Sequence, residues 1–249
     1  MLKVLVCLSE SCLDIYTISG GTAVSGVYTL DVAGPDVVVY CDFDSAPGCA
    51  FTYISPSTTA IADISSLYTE NDIVVLRHLR QNGKQYTADV EQITAFDGVP
   101  LSVQFNDNTG YTGPINTQMN PYIHLGIVPA DSLPNGATQG WSIQGTDHTF
   151  TNGGNRPNSY FVFLLNGDNE PYTTSLPGNV LIDDVGSAWV TEAINAGVDI
   201  PENFFVEDYE LRFGGGGARL YGTYEFEGIG RVRGVALGLK SDLPVVRNG

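Results

Sequence analysis

Basic charge is what this sequence has least of. Lys and Arg number 11 against 28 Asp and Glu, a formal net charge of −17. Phosphate contacts need clustered Lys and Arg, so no nucleic-acid partner is expected. An anionic membrane surface is disfavoured for the same reason. Charge of either sign is sparse at 16%, below the usual quarter. The expected surface is neutral-polar, with an acidic excess that keeps the chain soluble. Long apolar runs are missing too. Nothing approaches the ~18 residues of a membrane span, and no membrane insertion is expected. "MLKVLVCL" at 1–8 is followed at once by the charge of "SESCLD", which makes it too short for a secretory h-region. The chain is therefore expected to be made in the cytoplasm without a signal peptide. No Asn opens an Asn-x-Ser/Thr glycosylation acceptor; "NTG", "NSY", "NTQ" and "NPY" all miss. That absence favours a bacterial, viral or cytosolic origin.

Motifs for catalysis are also lacking. His78, His124 and His148 are scattered, with no H-E-x-x-H and no G-x-S-x-G. The run Gly214–Gly217 lacks a following Lys-Ser/Thr and reads as a hairpin loop, not a phosphate cradle. No cofactor is expected. Two carboxylate pairs invite attention. Asp42 and Asp44 in "CDFD" share a strand face, and Asp183 and Asp184 precede a helix. Paired carboxylates can cleave glycosides, but the plainer readings are solvated acids at a strand end and a helix cap. Asn166, Asp168 and Glu170 in "NGDNE" space oxygen ligands as a calcium loop would. The rest of an EF-hand loop is missing, and a polar turn is the competing reading.

Cysteine is confined to the first fifth of the chain, at Cys7, Cys12, Cys41 and Cys49. No C-x-x-C spacing and no nearby histidine suggest zinc. Three disulfide connectivities are open, among them Cys12–Cys41 nested inside Cys7–Cys49. Four reduced, buried thiols are the alternative.

What the sequence does hold is turn chemistry between short apolar runs. Gly (29) and Pro (13) are spread along the whole length, the mark of an all-β protein. The expected fold is mainly antiparallel, a sandwich or meander, with one or two short helices. Strands are predicted at 2–8, 13–18, 26–32, 36–43, 72–79, 85–93, 99–105, 122–128, 140–144 and 159–165. "NGK" at 82–84 is a hairpin signal. Helices are predicted at 58–68 and from Asp183 or Asp184 to Gly197, with Trp189, Val190, Ala193 and Ile194 on one face. "EDYELRF", "RLYGTYEFEG" and "RVRGVALGLK" read as a three-stranded meander with one solvated face. The chain divides into an N-terminal β domain with the four cysteines (1–105), a loop-rich connection (106–158) and a C-terminal β-meander with one helix (159–249).

"SCLDIY…SGVYTL…VVVYCDF", residues 11–43, resembles the N-terminal portion of fibrinogen-related domains. The resemblance implies a Cys12–Cys41 disulfide, with Gly26 and Tyr28 in the first strand. It also implies an extracellular recognition module, often for glycans or acetylated groups. "SAPGCAFTY" follows where that family has a Gly-Gly-Gly-Trp stretch, and no cysteine follows Cys49. The family's binding site is therefore not transferred.

The first functional expectation is a non-catalytic structural protein: a β-rich subunit of a larger particle, such as a virion coat or tail. It would contact copies of itself or other subunits through the polar loops 106–121 and 145–158. The alternatives are a secreted fibrinogen-related or lectin-like binding module, with glycan contacts from loop aromatics such as Tyr111 and Tyr122, and a carbohydrate-active hydrolase.

Overall fold

The computed structural model describes residues 10–31, 36–56, 73–93, 104–105, 122–125, 138–151, 161–164, 188–207, 209–213, 218–221 and 225–244. Helix α1 (Cys12–Ile18) comes first, then β1 (Gly26–Leu30), β2 (Val37–Asp42), β3 (Cys49–Ile54), β4 (Ile73–Arg80) and β5 (Gln85–Ile93). The middle holds β6 (Gln104–Phe105), β7 (Tyr122–Leu125), β8 (Thr138–Ile143), β9 (Thr146–Thr151) and β10 (Phe161–Leu164). A helical turn at 188–191 leads to β11 (Ile194–Asn195) and a 3-10 turn at Glu202–Phe204. The last strands are β12 (Glu210–Phe213), β13 (Ala218–Tyr221), β14 (Glu225–Phe226) and β15 (Gly230–Asp242). The fold is all-β with short helices, and every strand pairing among the described residues is antiparallel.

Two sheets result. The larger runs β1-β2-β3-β15-β4-β5-β8-β9, with β11 beside β5 and β14 beside β15. The smaller runs β13-β12-β10-β7-β6. β15, from the segment 159–249, lies between β3 and β4 of the segment 1–105, so one sheet draws on both. This corrects the predicted C-terminal meander. β12 and β13 do pair, Leu211 opposite Leu220, and Glu225–Phe226 (β14) pair with the start of β15, but the rest of β15 leaves them for the centre of the larger sheet. The reason is in "GVALGL": residues 234–239 are all buried, and such a continuous apolar run is stable only with both faces covered.

Three other expectations change. Residues 13–18, predicted as a strand, form α1. Ser11 caps it by accepting from the Asp14 N–H at 3.1 Å, and Asp14 accepts from the Glu10 N–H at 3.2 Å. This is close to a capping box, which fixes the helix start. The predicted helix ending at Gly197 has its last helical residue at 191. Ile194 and Asn195 instead pair with Thr87 and Tyr86 of β5. β8 covers β5 only at 90–93, so β11 satisfies backbone groups that β8 leaves open. Loop 145–158 begins as strand, since Thr146–Thr151 form β9. The predictions at 2–8 and 58–68 lie outside the described residues.

Each face of the larger sheet carries its own apolar cluster. One gathers Val39, Leu76, Val90, Trp141, Trp189 and Leu237, with Cys12 and Ile15 of α1 packed in. The other gathers Phe51, Tyr53, Val75 and Leu79 beneath Ile200, Phe204 and Phe205. The covering segment is held by the buried Gln85 amide, which donates to the Ile200 carbonyl at 2.7 Å and accepts from its N–H at 2.9 Å. On this second face β15 offers only small residues at 234, 236 and 238. A Cβ at Gly238 would lie 2.7 Å from Tyr53 Cδ1, and one at Gly234 would lie 2.9 Å from Phe205 Cβ. The glycines let the Tyr53 ring and the Phe205–Val206 segment lie against the strand. Gly238→Val is expected to destabilise the fold by about 1–3 kcal/mol through overpacking. Thr29→Val, on an exposed position, should shift the urea midpoint little.

Candidate functional site

Asp42 and Asp44 do not form the predicted surface carboxylate pair. Asp42, at the end of β2, is fully buried. Its Oδ1 accepts from the backbone N–H groups of Asp44 (3.0 Å) and Ser45 (2.9 Å), and its Oδ2 accepts from Ser45 Oγ at 2.5 Å. Asp44 turns away and accepts from Ser25 Oγ at 2.6 Å. An Asp that bonds backbone two and three residues on is a turn former, and here the turn draws the carboxylate inward. Its counter-charge is Arg77 of β4, also fully buried. Arg77 Nη2 lies 3.4 Å from Asp42 Oδ2 and donates to Ser45 Oγ at 3.1 Å. The guanidinium carbon sits 4.6 Å from the Tyr53 ring centroid. Arg77 Nε and Nη1 find no acceptor, and the ring face supplies part of the attraction they lack. Burial holds the Tyr53 hydroxyl well above its ordinary pKa against the pull of Arg77. Tyr53 and Thr87 hydroxyls are close enough to couple electrostatically, yet neither meets hydrogen-bond geometry. The group is closed to solvent. It can hold strands together, but it cannot present a carboxylate to a substrate.

The three histidines also stay apart. His124 lies in β7 opposite Val162 and Gln104. His78 is buried in β4, stacked on Tyr86 at 5.4 Å and edge-on to Trp189 at 5.5 Å. Its Nε2 accepts from Arg80 Nε at 3.1 Å, and Arg80 in turn covers the Tyr86 ring at 3.6 Å. Burial, with the Arg80 charge adding to it, pulls the His78 pKa down to about 3. Trp189 also meets Tyr209 at 6.2 Å and Phe226 at 6.0 Å, both edge-on. This aromatic nest is core.

Two polar pairs are half-open. His148 Nε2 lies 2.8 Å from Glu192 Oε1, joining β9 to the residues after the 188–191 turn. That pair can offer a hydrogen bond to a polar ligand. Lys240 Nζ donates to Asp89 Oδ2 at 2.5 Å. Burial is the largest single influence and would lower the Lys240 pKa, but the hydrogen bond and charge of Asp89, with Cys49 and Asp242, together outweigh it and the net shift is upward. Cys49 sits within reach of the Lys240 charge. Burial still raises its pKa, so it stays a thiol at neutral pH and is a poor nucleophile. Among the described residues, no three His, Cys, Asp or Glu side chains are placed to hold a metal ion, and no helix is long and apolar enough to cross a membrane. Asn166, Asp168, Glu170, Asp183, Asp184, Tyr111 and Gly214–Gly217 lie outside the described residues, as does Cys7.

The covalent feature is a bridge between Cys12 and Cys41, with an S–S distance of 2.07 Å. It ties the first residue of α1 to β2, next to the β1–β2 hairpin in which Gly26 faces Cys41 and Tyr28 faces Val39. Cys49 is unpaired. Comparison with family models, with characterised proteins and with solved structures returns no match.

Arg77, Ser45 and Glu192 were not singled out by the sequence patterns. Arg77 had a cue: a cation inside "DIVVLRHL" is a charge in an otherwise buried strand, and such charges are paired. Asp42→Asn should cost about 3–5 kcal/mol, because it leaves Arg77 buried without its counter-charge. Asp42→Asn with Arg77→Met should cost clearly less than the sum of the single changes in urea unfolding, while additive losses would mean the two do not interact. His78 sets a pH dependence. Its folded pKa lies below the unfolded 6.5, so the unfolded chain binds the proton first and stability falls as pH drops through 6.5. Between pH 8 and pH 5 the His78 share of that loss is about 2 kcal/mol. His78→Gln should remove this slope.

Proposed function

We propose that this chain is a non-catalytic recognition module of an oxidising, extracellular compartment, with glycans or acetylated groups as its ligand class. The observation that carries the reading is the Cys12–Cys41 bridge. A reducing cytosol does not sustain such bonds, and this one joins the two cysteines that the fibrinogen-related resemblance pairs. The burial of Asp42, His78 and Arg77 also supports it, because these groups serve cohesion and leave the chemistry of binding to other surfaces. The resemblance supplies the ligand class. Assembly with copies of itself is the second reading, favoured by the uncharged strand β1 at the sheet edge.

The test is peptide mapping, without reductant, of chain secreted from an oxidising host. A linked peptide pair containing Cys12 and Cys41, with Cys49 alkylated before reduction, is expected. Four alkylated cysteines in the folded protein would remove the basis for the compartment. A glycan array then tests the ligand class, and silence on both plain and acetylated glycans would reject it.

A further inference from the structure

We propose that the free edge of β1 is a self-docking surface, at which a second copy of this chain adds its own β1 antiparallel about a two-fold axis. Three observations on one stretch carry this. First, β1 is terminal in the ten-stranded sheet and pairs only with β2 among the described residues. Its outer side therefore offers a row of backbone donors and acceptors. Second, the usual protection of an edge is missing. Charged residues, proline and bulges blunt edges against pairing, and Gly26–Leu30 has none of them: its register against β2 is unbroken. The opposite edge strand, β9, carries an exposed Asp147.

Third, the edge lies in a stretch of sequence unlike the rest of the chain. Residues 15–30 contain no charged side chain, in a chain of net charge −17. Four large apolar residues are exposed among the described residues: Ile18 (55%), Val24 (72%), Val27 (59%) and Ile194 (52%). The first three fall in that uncharged stretch. Two such acidic chains repel wherever their carboxylates face each other. Within Gly26–Leu30 identical copies meet at least electrostatic cost, the nearest carboxylates, Asp31 and the Asp44 bonded to Ser25, lying at the two ends of the ladder.

The pairing closes on itself. An antiparallel match of two identical strands is isologous. With Tyr28 facing its own copy, Val27 of each chain stands opposite Thr29 of the other, and the ladder ends after five residues. A ladder of five residues buries less than the ~1,000 Å² typical of a stable interface, so the dimer forms at high concentration and dissociates on dilution. The proposal is independent of the ligand reading.

Sedimentation velocity over a concentration series tests it, using the full chain with its disulfide intact. The wild type is expected to move from monomer toward dimer as concentration rises. Val27→Lys should raise the dissociation constant at least about tenfold, by placing a charge on the edge, without lowering the melting temperature. Ile194→Lys, away from β1, should leave association unchanged. Raising NaCl from 50 to 500 mM should strengthen the wild-type dimer, because salt screens the repulsion of like-charged copies. A chain that stays monomeric throughout overturns the proposal. So does a dimer that survives Val27→Lys, or one that salt dissolves. A monomer whose melting temperature falls with Val27→Lys would overturn it too, since the edge would then be covered from within the chain.

Discussion

The larger sheet depends on one strand drawn from far along the chain. β15 is the last strand among the described residues and lies between β3 and β4, pairing Gly238 with Tyr53 on one side and with Val75 on the other. Until it is in place, the β1–β2–β3 unit and the β4–β5 hairpin have no shared backbone ladder. The contacts that complete the sheet are thus among the longest-range in the sequence, and such contacts are slow to form because loop entropy is lost before they repay it. β15 must also be thin. Gly234, Ala236 and Gly238 leave room for Phe205 and Tyr53 to lie against it, and Arg77 packs on the Tyr53 ring. The buried ion pair then joins β2 to β4 with β3 and β15 between them. A larger residue at 238 would displace Tyr53 first and Arg77 through it.

Asp42 and Arg77 are consequently better understood as a registry device than as a source of net stability. Burying both charges costs several kcal/mol each, and their attraction only roughly repays that. Their arrangement still discriminates sharply. A sheet assembled without β15, or with β4 shifted by two residues, would leave each charge buried alone. Ser45 sharpens the constraint, because its hydroxyl donates to Asp42 and accepts from Arg77. The pair therefore also requires the turn after β2 to have closed.

Local chemistry was legible in the sequence, and long-range partnership was not. The β4–β5 hairpin is the clearest case. Asn82 and Gly83 announce the turn, Gly83 takes φ 79°, and Asn82 Oδ1 accepts from the Lys84 N–H at 3.0 Å. The flanking runs 72–79 and 85–93 pair as their β-branched residues suggest. The β1–β2 hairpin was equally readable. α1 was missed because seven residues are too few to establish a helical period, and its cap, Ser11 with Asp14 in the first turn, was not read as a helix start. β3 was missed because "CAFTYI" is short and does not alternate, being buried at nearly every position. The destination of β15 could not be read from its own residues. A doubly buried strand says that neighbours exist, and nothing local says which. For the site, Asp42 was noticed for its neighbour Asp44, whereas its counter-charge is 35 residues away on another strand.

The disulfide works where these forces are weakest. α1 has seven residues, far fewer than the ~12–15 that make an isolated helix even marginal in water. It packs on the sheet through Cys12 and Ile15, while Ile18 stays exposed. The bridge closes a loop across a sequence separation of 29, which on the chain-entropy argument stabilises the folded state by about 3–4 kcal/mol. That is comparable to the rest of what a helix this short can gain by docking. The central strands are covered on both faces, whereas α1 fully buries only Cys12. Reduction should therefore act first on α1, which the bridge anchors to β2.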